Sequence, residues 1–350
     1  MPLQQIPESS AKSYRTQQNL TALAVRAARR AWGQVDTAAI SESWEEPSQA
    51  LGAVLTRLQS EAALDGARSV PAALADQGFE VEPEYAVKPR AVGGFAGAGY
   101  APTDVFESAP IVAKTRIAQG WPVTAAMAAG GAMLSGITQT AMADAGRQGQ
   151  MLAIHSRPKV GYVRMLNPPS CSRCAILAGT ASGREPFARH PRCDCRAIPG
   201  LEGWEQDLTM DTGEYFASLP SAADLADRYP DLTVAQRRER GLYSQEDAFT
   251  KYGAQAIRDG ADINQVVNAR RGMKQIQQPG STRWLVTSAG TAGRRGRAAR
   301  AMDAAGLSVR SADNVMRFRL TRQRLMPETI YQIASSPEET RKLLRMYGYI

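Results

Sequence analysis

All four cysteines and one of the two histidines of this 350-residue chain fall between Arg164 and Pro199. Cys171 and Cys174 form a C-x2-C pair, and fifteen residues later His190, Cys193 and Cys195 form an H-x2-C-x-C group. A C-x2-C turn presents two thiolates on one side of a tight loop. A second cluster at this distance can return to close a tetrahedral shell, the arrangement a structural Zn2+ requires. Five donors for four places leave one over, either His190 or Cys193. Core packing does not explain such clustering in an otherwise cysteine-free chain. Disulfides would need an oxidising compartment, and the opening MPLQQIPESS has no basic stretch followed by an apolar run, so a reducing cytoplasm is expected. No βαβ pattern surrounds Cys171 and Cys174 to suggest a thioredoxin-like redox pair.

Two catalytic alternatives are weaker. The run PPSCSRC resembles the P-C-x-x-C half of the nucleobase deaminase signature, whose chemistry also needs an upstream H-x-E in which Glu moves protons for the zinc-bound water. The upstream histidine here is His155, followed by Ser156 and Arg157, and arginine cannot be that base. Cys193 and Cys195 would also close the coordination position that catalysis must keep open. A nucleophile pair of Cys193 and His190, as in a Cys/His-dependent hydrolase, competes with metal ligation for the same groups. No enzyme is expected, and no catalytic residue is assigned. His155 reads as a polar surface residue.

The elements that must position the cluster are mainly helical. A strand over Gly161–Asn167 is expected to deliver the first Cys pair, giving a small central β-hairpin module of α+β type, pinned by zinc in place of a hydrophobic core. The expected divisions are a helical N-terminal region at 1–150, a zinc-binding core at 151–205 and a helical, basic C-terminal region at 206–350. In the first region, apolar spacing predicts a helix over Asn19–Val35 and a second that begins near Pro47 and breaks before Pro71. Phe79–Thr103, rich in Gly and Pro, reads as an irregular connector. Helix returns from Asp104 to about Gln150, without a charge between Arg116 and Asp144. That length could span a bilayer, but its Ala, Gly, Ser and Thr content, with Gly130 and Gly131 interrupting it, points to close helix packing instead. Beyond the cluster, helices are expected over Ser221–Arg228, over Ser244–Asp259 with Ser244 and Asp247 as a capping pair, over Asp262–Arg271, and over Pro327–Ala334 and Pro337–Tyr347.

Charge is uneven. Lys and Arg outnumber Asp and Glu by 16 to 5 from Gln265 to Ile350, a net +11 against +8 for the whole chain, so residues 1–264 carry −3. The strip SAGTAGRRGRAAR, with Arg294, Arg295, Arg297 and Arg300, is the candidate for non-specific polyanion contact; it lacks the interleaved aromatics that base readout uses.

The run YVRMLNPPSCSRCAILAGT with FARHPRCDC resembles the core motif of phage Mu protein F-like (MuF-like) minor head proteins, in the form found in phages of actinobacteria. The flanks FTKYGAQAIRDGADINQVVNARRGM and RLMPETIYQIA…LLRMYGYI are also similar, so the likeness covers roughly 142–350. Where relatives often read T-x-E-G-T, this chain has Thr287-Ser288-Ala289-Gly290-Thr291, which lacks the acid. The resemblance implies a minor capsid protein of the virion, inside the capsid after synthesis in the host cytoplasm. It would act with the portal and other capsid proteins in head morphogenesis, DNA packaging or ejection. Fused protease or toxin domains occur in such proteins, but residues 1–141 contain neither His nor Cys and no catalytic motif. The alternative is a zinc-dependent nucleic-acid binding or processing protein.

Overall fold

The computed structural model describes residues 4–97, 99–166, 170–183, 185–190, 193, 195–203, 208–277, 283–291, 296–310 and 318–350. The described residues are mainly helical, with small antiparallel sheets. The chain divides into two compact units, Met1–Met165 with Thr180–Thr209 and Leu166–Gly179 with Met210–Ile350. This differs from the three-way division expected from sequence. The reason lies in the strand pair, whose faces bury against helices of the first unit and leave no separate central module.

The first unit is built on α1 (Glu8–Trp32), α2 (Ile40–Asp76), the short α3 (Pro102–Phe106), α4 (Ser108–Ala118) and α5 (Val123–His155). Helix α1 begins well before Asn19 because its first half buries a polar stripe. Ser10, Ser13, Tyr14 and Gln17 recur at helical spacing and are buried. Gln17 donates from Nε2 to Ala62 O at 2.6 Å and to Asp65 Oδ2 at 3.0 Å, and Ser13 donates to Asp65 Oδ2 at 2.6 Å. The second half buries Ala24, Val25, Ala28, Ala31 and Trp32.

Helix α2 is continuous through both Pro47 and Pro71, against the expected start near Pro47 and break before Pro71. A proline inside a helix costs about 3 kcal/mol through the lost N–H and ring clash. The burial of Trp44, Leu51, Leu55, Val70 and Leu74 along α2 offsets that loss, with Trp44 set edge-on to Trp32 at 5.3 Å. Helix α5 runs unbroken across Gly130 and Gly131. These glycines, with Gly146 and Gly149, admit neighbours: a Cβ at Gly149 would stand 1.9 Å from Ala63 O, and one at Gly130 2.5 Å from the Trp32 ring. Among the described residues no helix is long and apolar enough to cross a membrane. The connector over 79–101 holds a 3-10 turn at Pro89–Val92 and an isolated bridge from Ala96 to Tyr100. His155 ends α5 half-buried, its carbonyl accepting from Tyr85 OH at 2.8 Å, so it is not the surface residue expected.

Strands β1 (Val160–Met165) and β2 (Arg196–Leu201) pair antiparallel, from Val160 opposite Leu201 to Met165 opposite Arg196. Val160, Tyr162 and Ala197 pack with Val70, Leu74 and Ile154 of α2 and α5, while Val163, Met165 and Ile198 pack with Tyr14 and Leu208. The pair therefore has apolar partners on both faces, and the expectation that zinc stands in for its core is corrected.

The second unit contains α6 (Ser172–Ala178), α7 (Thr212–Ser218), α8 (Ala222–Arg228), α9 (Val234–Glu239), α10 (Gln245–Phe249), α11 (Lys251–Arg258) and α12 (Ile263–Ala269). A sheet of β3 (Met273–Gln277), β4 (Arg283–Thr287) and β7 (Arg324–Leu325) follows, with a separate pair of β5 (Ser308–Arg310) and β6 (Phe318–Leu320). Helices α13 (Arg297–Ala304), α14 (Pro327–Ile333) and α15 (Pro337–Met346) complete it. Ser221, Thr233 and Ser244 each open a helix with a reciprocal capping box, the last with Asp247 as expected. The helix expected over Ser244–Asp259 is split at Thr250, whose φ of +67° ends α10 and whose side chain caps α11.

Candidate metal centre

The two halves of the cluster are supported separately. Cys171 is the N-cap of α6 and Cys174 its third helical residue, so the first turn brings their sulfurs to 3.6 Å. Helix α6 is held by Tyr215 OH, which donates to Ser170 O at 2.9 Å, by Thr212 Oγ1, which donates to Ala175 O at 3.3 Å, and by Arg173, which donates to Asn268 Oδ1 at 2.7 Å.

The segment carrying His190, Cys193 and Cys195 is held from β1 and α5. Ser182 exchanges backbone hydrogen bonds with Tyr162, and Tyr162 OH donates to Glu185 O at 3.0 Å. The Phe187 ring stacks on Tyr162 at 5.6 Å and lies 3.9 Å from the Arg164 guanidinium, which donates to Ala188 O. Burial raises the Tyr162 phenol above its ordinary value, as suits a hydroxyl kept as a donor. Arg189 then pairs with Asp144 Oδ2 at 2.6 Å. Arg147, nearly inaccessible on α5, donates from Nη1 to Cys193 O at 2.8 Å and Cys195 O at 3.1 Å, and from Nη2 to Asp144 Oδ1 at 2.6 Å. One turn further, Gln150 brackets Ala197, accepting from its N–H and donating to its carbonyl, both at 3.3 Å. Asp144, Arg147 and Gln150 thus form one stripe of α5 that fixes where the chain enters β2.

The donor atoms of Cys171, Cys174 and His190 lie within 4.8 Å of one another, as do those of Cys174, Cys193 and Cys195. Cys174 belongs to both groups, so all five predicted donors gather around one sulfur. Cys174, Cys193 and Cys195 are buried, Cys171 is partly buried and His190 exposed. Among the described residues none of the four cysteines is in a disulfide. A tetrahedral metal with bonds of about 2.3 Å separates its sulfurs by roughly 3.8 Å. The 3.6 Å between Cys171 and Cys174 already approaches that, and the donor set fits a metal ion.

The arginine strip is placed differently. Arg294 and Arg295 lie outside the described residues. Arg297 and Arg300 are exposed on α13, but Arg297 pairs with Asp262 Oδ2 at 3.0 Å, which neutralises part of its charge. The Ala289 carbonyl accepts from Arg324 Nη1 at 3.0 Å.

Motif reading missed the supports Asp144, Arg147, Arg164, Tyr162 and Tyr215. A signal for one pair existed: Asp144 and Arg147 are the first charges after the uncharged stretch and stand three apart, hence on one helical face. No family model matches the chain, and no curated protein or solved structure matches it either.

Proposed function

We propose that the chain is a minor head protein of a tailed phage, of the MuF-like kind, stabilised by one structural Zn2+. The observation that carries this reading is the gathering of all five donors of the C-x2-C and H-P-x-C-x-C motif around Cys174. Cys171, Cys174, Cys193 and Cys195 hold the ion and exposed His190 is the spare group, because three of the thiols are already buried side by side. Four thiolates fill a tetrahedral shell and leave no position for a substrate or a reactive water, which suits a structural role. When bound, the ion neutralises the thiolates. Helical surfaces then meet the portal and other capsid proteins, and exposed cations such as Arg300 touch packaged DNA without reading its sequence.

Quantitative mass spectrometry of purified particles of the parent phage, with zinc measured on the isolated protein, tests this directly. A few copies per particle and one zinc per chain are expected. Absence from particles overturns the virion assignment, and a reduced, metal-free protein that still melts cooperatively at the same temperature overturns the structural zinc.

A further inference from the structure

Helices α1 and α5 touch closely at two places. Gly146 takes Gln17 so near that a Cβ there would stand 2.2 Å from Gln17 Oε1, and Gly131 takes Trp32 at 2.9 Å. Between these contacts, beside the buried stripe of Ala24, Ala28 and Ala31, the helices leave a cavity of about 470 Å3. Its volume falls in the range of small-molecule sites, roughly 300–1,000 Å3.

The lining has two characters. Tyr14, Ala22, Val25 and Ala143 supply apolar surface, whereas Arg26, Arg29 and Arg196 supply three cations. Arg196, the first residue of β2, is only 4% exposed and donates from Nη1 to Ala143 O at 3.4 Å, so it is held in a poorly solvated wall behind Arg26 and Arg29. Among the described residues the lining contains no Asp or Glu, and neither Arg26 nor Arg29 takes part in an ion pair. Arg26 and Arg29 stand three apart on α1, on the same side of the helix, and can bracket one anionic group together. A concave site with cations on one side and aliphatic and aromatic carbon on the other focuses positive potential onto a partly dry surface.

We propose that this cavity binds a small amphiphilic anion. Its carboxylate, sulfonate or phosphate group sits among Arg26, Arg29 and Arg196, and its ring or chain lies against Tyr14, Ala22, Val25 and Ala143. Cys193 also lines the cavity, so the occupant rests against one of the candidate metal ligands. The inference depends on the cavity alone and stands whether or not the protein belongs to a virion.

The probe is 8-anilinonaphthalene-1-sulfonate, one sulfonate on an aromatic body, titrated into the full chain and followed by fluorescence. Saturable binding of one molecule per chain is expected. Charge-assisted hydrogen bonds are strong enough that Arg26→Gln with Arg29→Gln weakens it by about tenfold or more. Ala22→Trp, at an exposed position, fills the cavity and removes the binding. The neutral analogue N-phenyl-1-naphthylamine, which needs no variant, binds at least about tenfold more weakly. Melting curves of both variants must match the unaltered protein. Non-saturable binding, equal affinity for the neutral analogue, or binding that survives Ala22→Trp in a folded variant each overturns the proposal.

Discussion

Replacing Arg147 by Met keeps most of its volume and removes the donors that fix the carbonyls of Cys193 and Cys195. The side chain is 4% exposed and its partner Asp144 12%, so the pair is screened little by solvent. Breaking a buried pair by removing one member costs about 3–5 kcal/mol, because the remaining charge is left in a poor dielectric. Here Arg189 still faces Asp144 Oδ2, which places the loss toward the lower end. For a unit of this size that lowers the midpoint by roughly 6–15 °C, at about 2–4 °C per kcal/mol. Arg147 also holds the carbonyls of Cys193 and Cys195, so in the proposed zinc centre metal affinity falls by about 10–100-fold, as for other groups that position metal ligands. The assay pairs a thermal melt with competition against a chromophoric zinc chelator. In a double-mutant cycle, Arg147→Met with Asp144→Asn costs less than the two single changes added, since the double variant leaves no deeply buried charge unpaired and only the more exposed Arg189 loses its partner. An Arg147→Met protein that melts within about 2 °C of the unaltered chain and holds zinc as tightly refutes the reasoning.

Cys174→Ser removes the sulfur common to both donor groups and abolishes zinc binding by elemental analysis, whereas His190→Ala retains one zinc per chain. Arg324 is 1% exposed and donates to the carbonyls of Ala289, Tyr347 and Gly348. Arg324→Lys, which offers no planar fork, should therefore destabilise the second unit by about 2–4 kcal/mol in denaturant titrations. Tyr349 is fully buried, donates to Leu325 O at 2.9 Å, and burial pushes its phenol well above the usual value. Its neutral form is the folded form, so its contribution is complete below the unfolded value of about 10 and is lost as pH rises beyond it. Melts from pH 8 to 11.5 should fall more steeply for the unaltered protein than for Tyr349→Phe. Arg300→Gln should lower the slope of log affinity for duplex DNA against log salt by about one, and Arg297→Gln by less because of Asp262.

The parts legible in the sequence are those with a local code. The Cys/His spacing announced a shared donor set, and Ser244 with Asp247, Pro327 and Pro337 marked helix starts that the chain uses. What escaped depends on partners far along the chain. The first half of α1 has no apolar periodicity because its buried face is Ser13 and Gln17 bonded to Asp65 and Ala62, 45 to 52 residues away. Pro47 and Pro71 read as helix ends because the cost of a proline is local while the burial that offsets it is tertiary. Strand β3 hid in a polar run, with Lys274, Gln275 and Gln277 exposed and its order coming from the backbone register with β4. The positions 1–150, 151–205 and 206–350 followed composition, whereas contacts follow the two strands back into the first helical unit.

The same distinction changes what the arginines mean. Counted along the sequence, they are charge available to a polyanion. In the fold, Arg147, Arg157, Arg164 and Arg324 are buried, and each donates to main-chain carbonyls where a loop or terminus leaves acceptors without a ladder. Arg157, for instance, reaches Val81 O and Ala153 O, both at 2.9 Å, joining the connector to the end of α5. A guanidinium can serve several carbonyls in one plane, which an ammonium on a flexible stem does less well. A chain with 42 basic residues, 35 of them arginine, therefore uses part of its charge as internal cross-links. The cluster illustrates the consequence: the main chain at Cys193 and Cys195 is held by Arg147, whatever ion the sulfurs take. In the zinc centre proposed above, the ion would close a shell whose approach at Cys193 and Cys195 the buried arginine already fixes.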